Sequence, residues 1–188
     1  MGILKKRSRI TSQQFAAGLW KVCKDLYLDW EGDFYEKGEP ISEELPPKSE
    51  DRFTPVTREV FIINLWIITS ILQEMGYKRK VLDQLHLCYL DFFSQSMSPE
   101  TRKQYAGYME DPFKERYEQY FDLSSKISSS PSTGLERLSS TMMGNILGIK
   151  LCLNSHLTFL MGLYFTSAHK IALEVVSNVD KNAEIIDK

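Results

Sequence analysis

Three histidines and three cysteines carry most of the chemistry open to this 188-residue chain, and their spacing restricts it. Asp83-x-x-His86 places a carboxylate and an imidazole one helical turn apart, a geometry that metals use. Di-iron bundles, however, need two Glu-x-x-His pairs with further glutamates, and the chain has no Glu-x-x-His. His86 therefore reads as structural, and no metal, cofactor or catalytic residue is assigned. Cys23, Cys88 and Cys152 are odd in number and more than sixty residues apart. That pattern points to reduced thiols in a cytoplasmic protein. P-loop, HExxH, GxSxG, GxGxxG and EF-hand motifs are absent, so the usual sequence grounds for naming an enzyme are missing.

Asn145, Cys152 and His156 form the one candidate pocket. If residues 145–156 are helical, Asn145 and His156 lie three turns apart and point the same way. Buried polar groups must find partners, so the pair reads either as a satisfied core contact or as the lining of a small-molecule site. In the second case His156 would move protons near neutral pH. A wider pattern contains these residues. Thr141, Gly148, Ser155, Phe159, Gly162 and Thr166, with Asn145 and Cys152 between the first three, follow alternating helical steps of four and three, and all but Phe159 are small or modest in size. Such a seam lets two helix backbones approach closely. It fits either a second copy of the chain or the protein's own apolar helix around Val60–Leu72.

Rings and cations also alternate between Lys103 and Phe121, with Lys103, Lys114 and Arg116 interleaved with Tyr105, Tyr108, Phe113, Tyr117, Tyr120 and Phe121. Stacked rings beside cations can hold single-stranded nucleic acid. Residues 110–122 nevertheless carry a charge of −3, which repels a phosphate backbone, so the rings read as core and nucleic acid is not expected. The whole chain is near neutral, with 23 Lys and Arg against 25 Asp and Glu.

The elements that must position these groups are helical. Phe15, Leu19, Val22, Leu26 and Trp30 recur at helical steps after a capping Thr11 or Ser12. Residues 31–53 interrupt the pattern with three prolines and eight acids against three bases, an acidic surface loop. Thr54-Pro55 then opens a long apolar segment ending at Gly76. Its β-branched residues favour strand, but about twenty residues without a turn signal favour helix. Tyr77–Met97 reads as a further helix, and Ser98-Pro99-Glu100 as the start of another, interrupted at Asp111-Pro112. The Ser-rich stretch 124–134 reads as a linker.

Leu135–Val176 is helical in pattern throughout. Unbroken, its 42 residues would run roughly 63 Å, against a diameter of about 40 Å for a domain of this size. It must therefore break, with Asn154-Ser155 as the joint, or project and be covered by another subunit. The stretch between Lys150 and Lys170 lacks charge but holds seven polar residues, which disfavours a transmembrane span.

The expected architecture is all-α, an irregular bundle of six or seven helices with a long or broken apolar C-terminal helix. The whole of 1–188 reads as one domain, with a basic arm at 1–10 and a polar tail at 178–188. The functional expectation is a non-enzymatic assembly module, a homodimer with further protein partners. The alternative is a bundle holding an apolar or amphipathic small molecule, with His156 as its proton-transfer group if it is an enzyme.

Overall fold

Thr11 opens the first helix through a reciprocal cap. Its hydroxyl accepts the Gln14 N–H at 3.1 Å, and the Gln14 side-chain oxygen accepts the Thr11 N–H at 2.9 Å, which satisfies two otherwise orphaned donors. The computed structural model describes residues 7–36, 45–46, 54–95, 111–127 and 131–186. Helix α1 spans Ser12–Glu31 and continues into a π-helical turn, Gly32–Glu36. It is followed by α2 (Pro55–Glu74), α3 (Arg79–Gln95), α4 (Asp111–Ser125), α5 (Pro131–Leu147) and α6 (Ser155–Asn182). The architecture is an all-α bundle with a long, apolar C-terminal helix.

Helix α2 forms the centre. Thr54 caps it, its hydroxyl accepting the Thr57 N–H at 3.0 Å, and Pro55 occupies the first turn, where a missing N–H costs nothing. Almost every residue from Val56 to Leu72 is buried. That burial on all sides explains how a β-branched sequence stays helical: packing outweighs a local preference of a few tenths of a kcal/mol per residue. Phe61 stacks on Trp20 and Tyr27 of α1 at 5.2 and 4.9 Å and meets Phe93 of α3 edge-on. Trp66 meets Tyr120 of α4 at 5.4 Å and Phe165 of α6 at 6.0 Å.

One polar knot sits inside this core. The buried Asn64 of α2 donates to the Cys23 carbonyl at 3.3 Å and accepts the Tyr164 hydroxyl at 2.5 Å, while that hydroxyl also lies 3.1 Å from the Leu26 carbonyl. Three helices distant in sequence are thereby fixed in register. The stretch 8–10, expected to be part of a solvated arm, is instead a strand, β1 (Ser8–Ile10). It pairs in parallel with β2 (Ala183–Ile185), a segment expected to be a polar tail. Burial of Ile185 against the bundle supplies what neither segment has alone. Lys5 and Lys6 lie outside the described residues.

The Ser-rich linker is also shorter than its composition suggests. Helix α4 runs to Ser125 and α5 begins at Pro131, because serine and proline are both acceptable at helix ends. Of the acidic loop, Glu31 is helical, Gly32–Glu36 forms the π turn, and Phe34 and Leu45 are buried. Its residues 37–44 and 47–53, the helix start at Ser98-Pro99-Glu100, and Tyr105 and Tyr108 lie outside the described residues.

Candidate functional site

The C-terminal pair α5–α6 carries the candidate residues, and its geometry follows from how α5 ends. Gly148 adopts a φ of +70°, a conformation that breaks a helix and suits glycine. The chain then folds back against α5: the Ile149 N–H reaches the Gly144 carbonyl at 2.8 Å, and the Cys152 N–H reaches the Ser140 carbonyl at 3.1 Å. Gly144 permits the approach, since a Cβ there would lie 3.0 to 3.2 Å from three backbone atoms of residues 149–152. Helix α6 restarts under Asn154, whose side-chain oxygen accepts the His156 and Leu157 N–H groups, both at 3.0 Å. The restart thus falls at the expected joint, with Asn154 and not Ser155 as the cap, but the break itself begins seven residues earlier than expected, after Leu147.

This break dissolves the expected pocket. Asn145 is half-buried on α5 and donates to the Tyr120 hydroxyl at 2.8 Å and to Gln119 at 3.1 Å. Cys152 is buried in the turn, and its carbonyl accepts the hydroxyls of Ser140 and Thr158. His156 is exposed at the start of α6. Asn145 and Cys152 face different cavities, and His156 lines neither. The three do not converge, because the shared helical direction that joined them ends at Gly148. His86 has structural partners: Nδ1 lies 2.9 Å from the Leu82 carbonyl and Nε2 lies 3.3 Å from the Tyr117 hydroxyl. Burial lowers its pKa, against smaller opposing effects of that carbonyl and Asp83. Among the described residues, no three His, Cys, Asp or Glu side chains gather where a metal could sit.

The seam fares differently. On α6, Leu157, Met161, Tyr164, Ala168, Ala172 and Val176 are buried. Ser155, Phe159, Gly162, Leu163, Thr166, Lys170 and Leu173 follow the opposite side of the wheel. Phe159 is 62% exposed, Leu163 53% and Leu173 41%. The seam therefore does not pack against α2, which meets the bulky face instead. Thr141 is the exception, buried on α5, and Gly148 belongs to the turn. Gly162 sits at the α5–α6 crossing, where a Cβ would lie 3.2 Å from the Ser139 hydroxyl.

Beside this stripe, α5 and α6 enclose an open groove of about 720 Å³ walled by Leu135, Leu151, Leu153, Phe159 and Leu163. Ser139 contributes a buried hydroxyl with no hydrogen-bond partner among the described residues. Eleven large apolar side chains are exposed among the described residues, and seven of them (Ile149, Leu151, Leu153, Phe159, Leu163, Ile171 and Leu173) fall between residues 149 and 173. By length and composition, α2 and α6 could each cross a membrane. In its most apolar stretch α2 is 83% buried, as a core helix should be, whereas α6 is 28% buried.

A second group, missed by sequence reasoning, lies at the head of α2, where the carboxylate of Glu59 is enclosed by Arg58 and Arg116. Its signal was available: Arg58-Glu59 is the only charged pair at the mouth of an uncharged run extending to Gln73. No protein-family model, curated protein or solved structure matches this chain. The class of protein is thus set by the fold itself, an all-α bundle with one apolar helix left open.

Proposed function

We propose that the protein is a non-enzymatic helical assembly module of the cytoplasm that pairs with a second copy of itself through the outward stripe of α6 and the adjoining groove. The observation that carries this reading is the exposure of α6: a helix nearly as apolar as the core helix α2 keeps most of its apolar stretch outside the core. Exposed apolar side chains this concentrated mark interaction surfaces. From Ser155 to Leu173 the stripe runs roughly 27 Å. That length suits the contact of about 800 Å² per partner found in stable dimers. The small, exposed Ser155 favours close backbone approach, and a two-fold axis would set Phe159 and Leu163 of each copy into the groove of the other. Polar Thr166, Ser167 and His169, with Lys170 on the stripe itself, favour a protein over a lipid neighbour. The three free thiols suit a reducing compartment.

Light scattering at micromolar concentration is expected to give about twice the 21.8 kDa chain mass. Phe159→Glu with Leu163→Glu is expected to give a monomer of unchanged helicity, because both side chains project outward. A wild-type monomer at every concentration overturns the reading, as does flotation of the protein with lipid vesicles. A second reading is favoured by one observation, the Ser139 hydroxyl in the groove, which has no partner among the described residues. It suits an amphipathic ligand that offers one polar group to Ser139 and its chain to Leu151 and Phe159. Native mass spectrometry of the purified protein separates the two, since a co-purified small molecule on a monomer supports the second.

A further inference from the structure

Three buried hydroxyls line the groove between α5 and α6. Those of Ser140 and Thr158 donate to the Cys152 carbonyl. Ser139 is 1% exposed, and its hydroxyl has no partner among the described residues. A serine inside a helix commonly returns its proton to the carbonyl one turn back, and this one does not. A buried hydroxyl without a partner costs stability, so a residue serving the helix crossing alone would be better chosen as alanine. Opposite it stands Gly162, where an added Cβ would lie 3.2 Å from the Ser139 hydroxyl. The wall that α6 offers is therefore bare at the point facing that hydroxyl.

The rest of the groove sets the class of ligand. Its volume of about 720 Å³ lies within the range of about 300–1,000 Å³ typical of small-molecule sites. Leu135, Leu151, Leu153, Phe159 and Leu163 make its walls apolar. Along α5 from Ser132 to Ser140 it runs roughly 12 Å, the reach of a hydrocarbon chain of medium length. Its charged lining residues are Glu136 and Arg137, adjacent on α5 and both exposed. Their opposite charges favour neither an acid nor an amine at the mouth. An ionised head would also lose its hydration on reaching a buried neutral hydroxyl. A hydroxyl head is donor and acceptor at once, and so matches Ser139 whichever way its proton points.

We infer that the groove binds an uncharged single-chain alcohol, its hydroxyl paired with Ser139 and its chain along Leu151, Phe159 and Leu163, and that this ligand displaces the second copy. The displacement rests on the pairing reading, since Phe159 and Leu163 of a partner would need the same volume. Bound alcohol and dimer then exclude each other, and the ligand sets the fraction of paired chains by mass action.

The test is calorimetry and light scattering of the full chain with octanol, hexanol, octanoate and octylamine. Octanol is expected to bind once per chain, about fifteenfold more tightly than hexanol because two more methylenes are buried. It is expected to bind about tenfold or more above octanoate and octylamine, and at saturation to halve the scattering mass. Ser139→Ala is expected to keep or raise the Tm and to weaken octanol binding about fivefold. Gly162→Ala sets a methyl where the head would sit, and is expected to abolish octanol binding with helicity intact by circular dichroism. Both variants keep the apolar walls, so a general solvent action of octanol would persist in them. The inference is overturned, with the pairing reading left standing, by a dimer that keeps its mass in octanol or by absence of heat with octanol. The same holds for octanoate or octylamine binding as tightly, a Tm lowered by Ser139→Ala, or octanol binding indifferent to both variants. A monomer before any octanol is added overturns the pairing reading and the displacement with it.

Discussion

Tyr164→Phe removes a single oxygen from the middle of the bundle, and its cost can be worked from the contacts. The hydroxyl has one proton, and the shorter of its two contacts is Asn64 Oδ1 at 2.5 Å. Asn64 is fully buried and its Oδ1 has no other partner among the described residues. The substitution therefore strands an acceptor away from water, at a cost of about 1–3 kcal/mol. An unfolding entropy of about 2.1 cal/mol/K per residue converts the midpoint of that range into a Tm lowered by about 5 °C. Asn64→Leu removes the acceptor as well, and the Tyr164 hydroxyl can then turn to the Leu26 carbonyl. In that background Tyr164→Phe is expected to cost about 1 kcal/mol less than in the parent, a coupling usual for buried partners. Urea denaturation followed by circular dichroism on the four proteins measures it. Strict additivity, or a single-mutant cost under about 0.5 kcal/mol, would show that the knot does not hold the three helices together.

Gly144→Ala should lower stability by about 1–3 kcal/mol despite alanine's better helix propensity, because the new methyl meets backbone atoms at 3.0 to 3.2 Å that cannot swing aside. A raised Tm for this variant would refute the tight fold-back after α5. His86 gives the protein a dependence on pH. Burial lowers its pKa from the ordinary 6.5, so the unfolded chain takes up the proton first. The stability contributed by neutral His86 is present above about pH 6.5 and is lost as pH falls below it, towards the folded pKa. His86→Gln should flatten that decline in urea midpoints, and an unchanged slope would show that the imidazole is solvated.

Much of this architecture can be read in the residues, and the failures share a cause. Thr54-Pro55 and Gly76 bracket α2 in sequence as in space, and the length of the segment correctly outweighs its β-branched composition. The seam of Ser155, Phe159, Gly162 and Thr166 lies on one helical face, because spacing along a single helix is local information. Asn145 and His156 were linked by the same rule carried across Gly148, where a left-handed residue cancels it. Glu59 and Arg116 are 57 residues apart, and no periodicity joins them. The strands are three residues long and exist only because the two ends of the described chain meet, so neither has a pattern of its own to detect.

That meeting of ends sets how the molecule bears load. Ser8 lies opposite Ala183 and Ile10 opposite Ile185, with both strands pointing the same way. Tension applied between residue 8 and residue 186 pulls the two strands past each other along their length. Every rung of the small sheet then resists at once, as in a lap joint, and does not peel one rung at a time. A protein tethered at its two termini would thus transmit force through this clasp before the helices felt it.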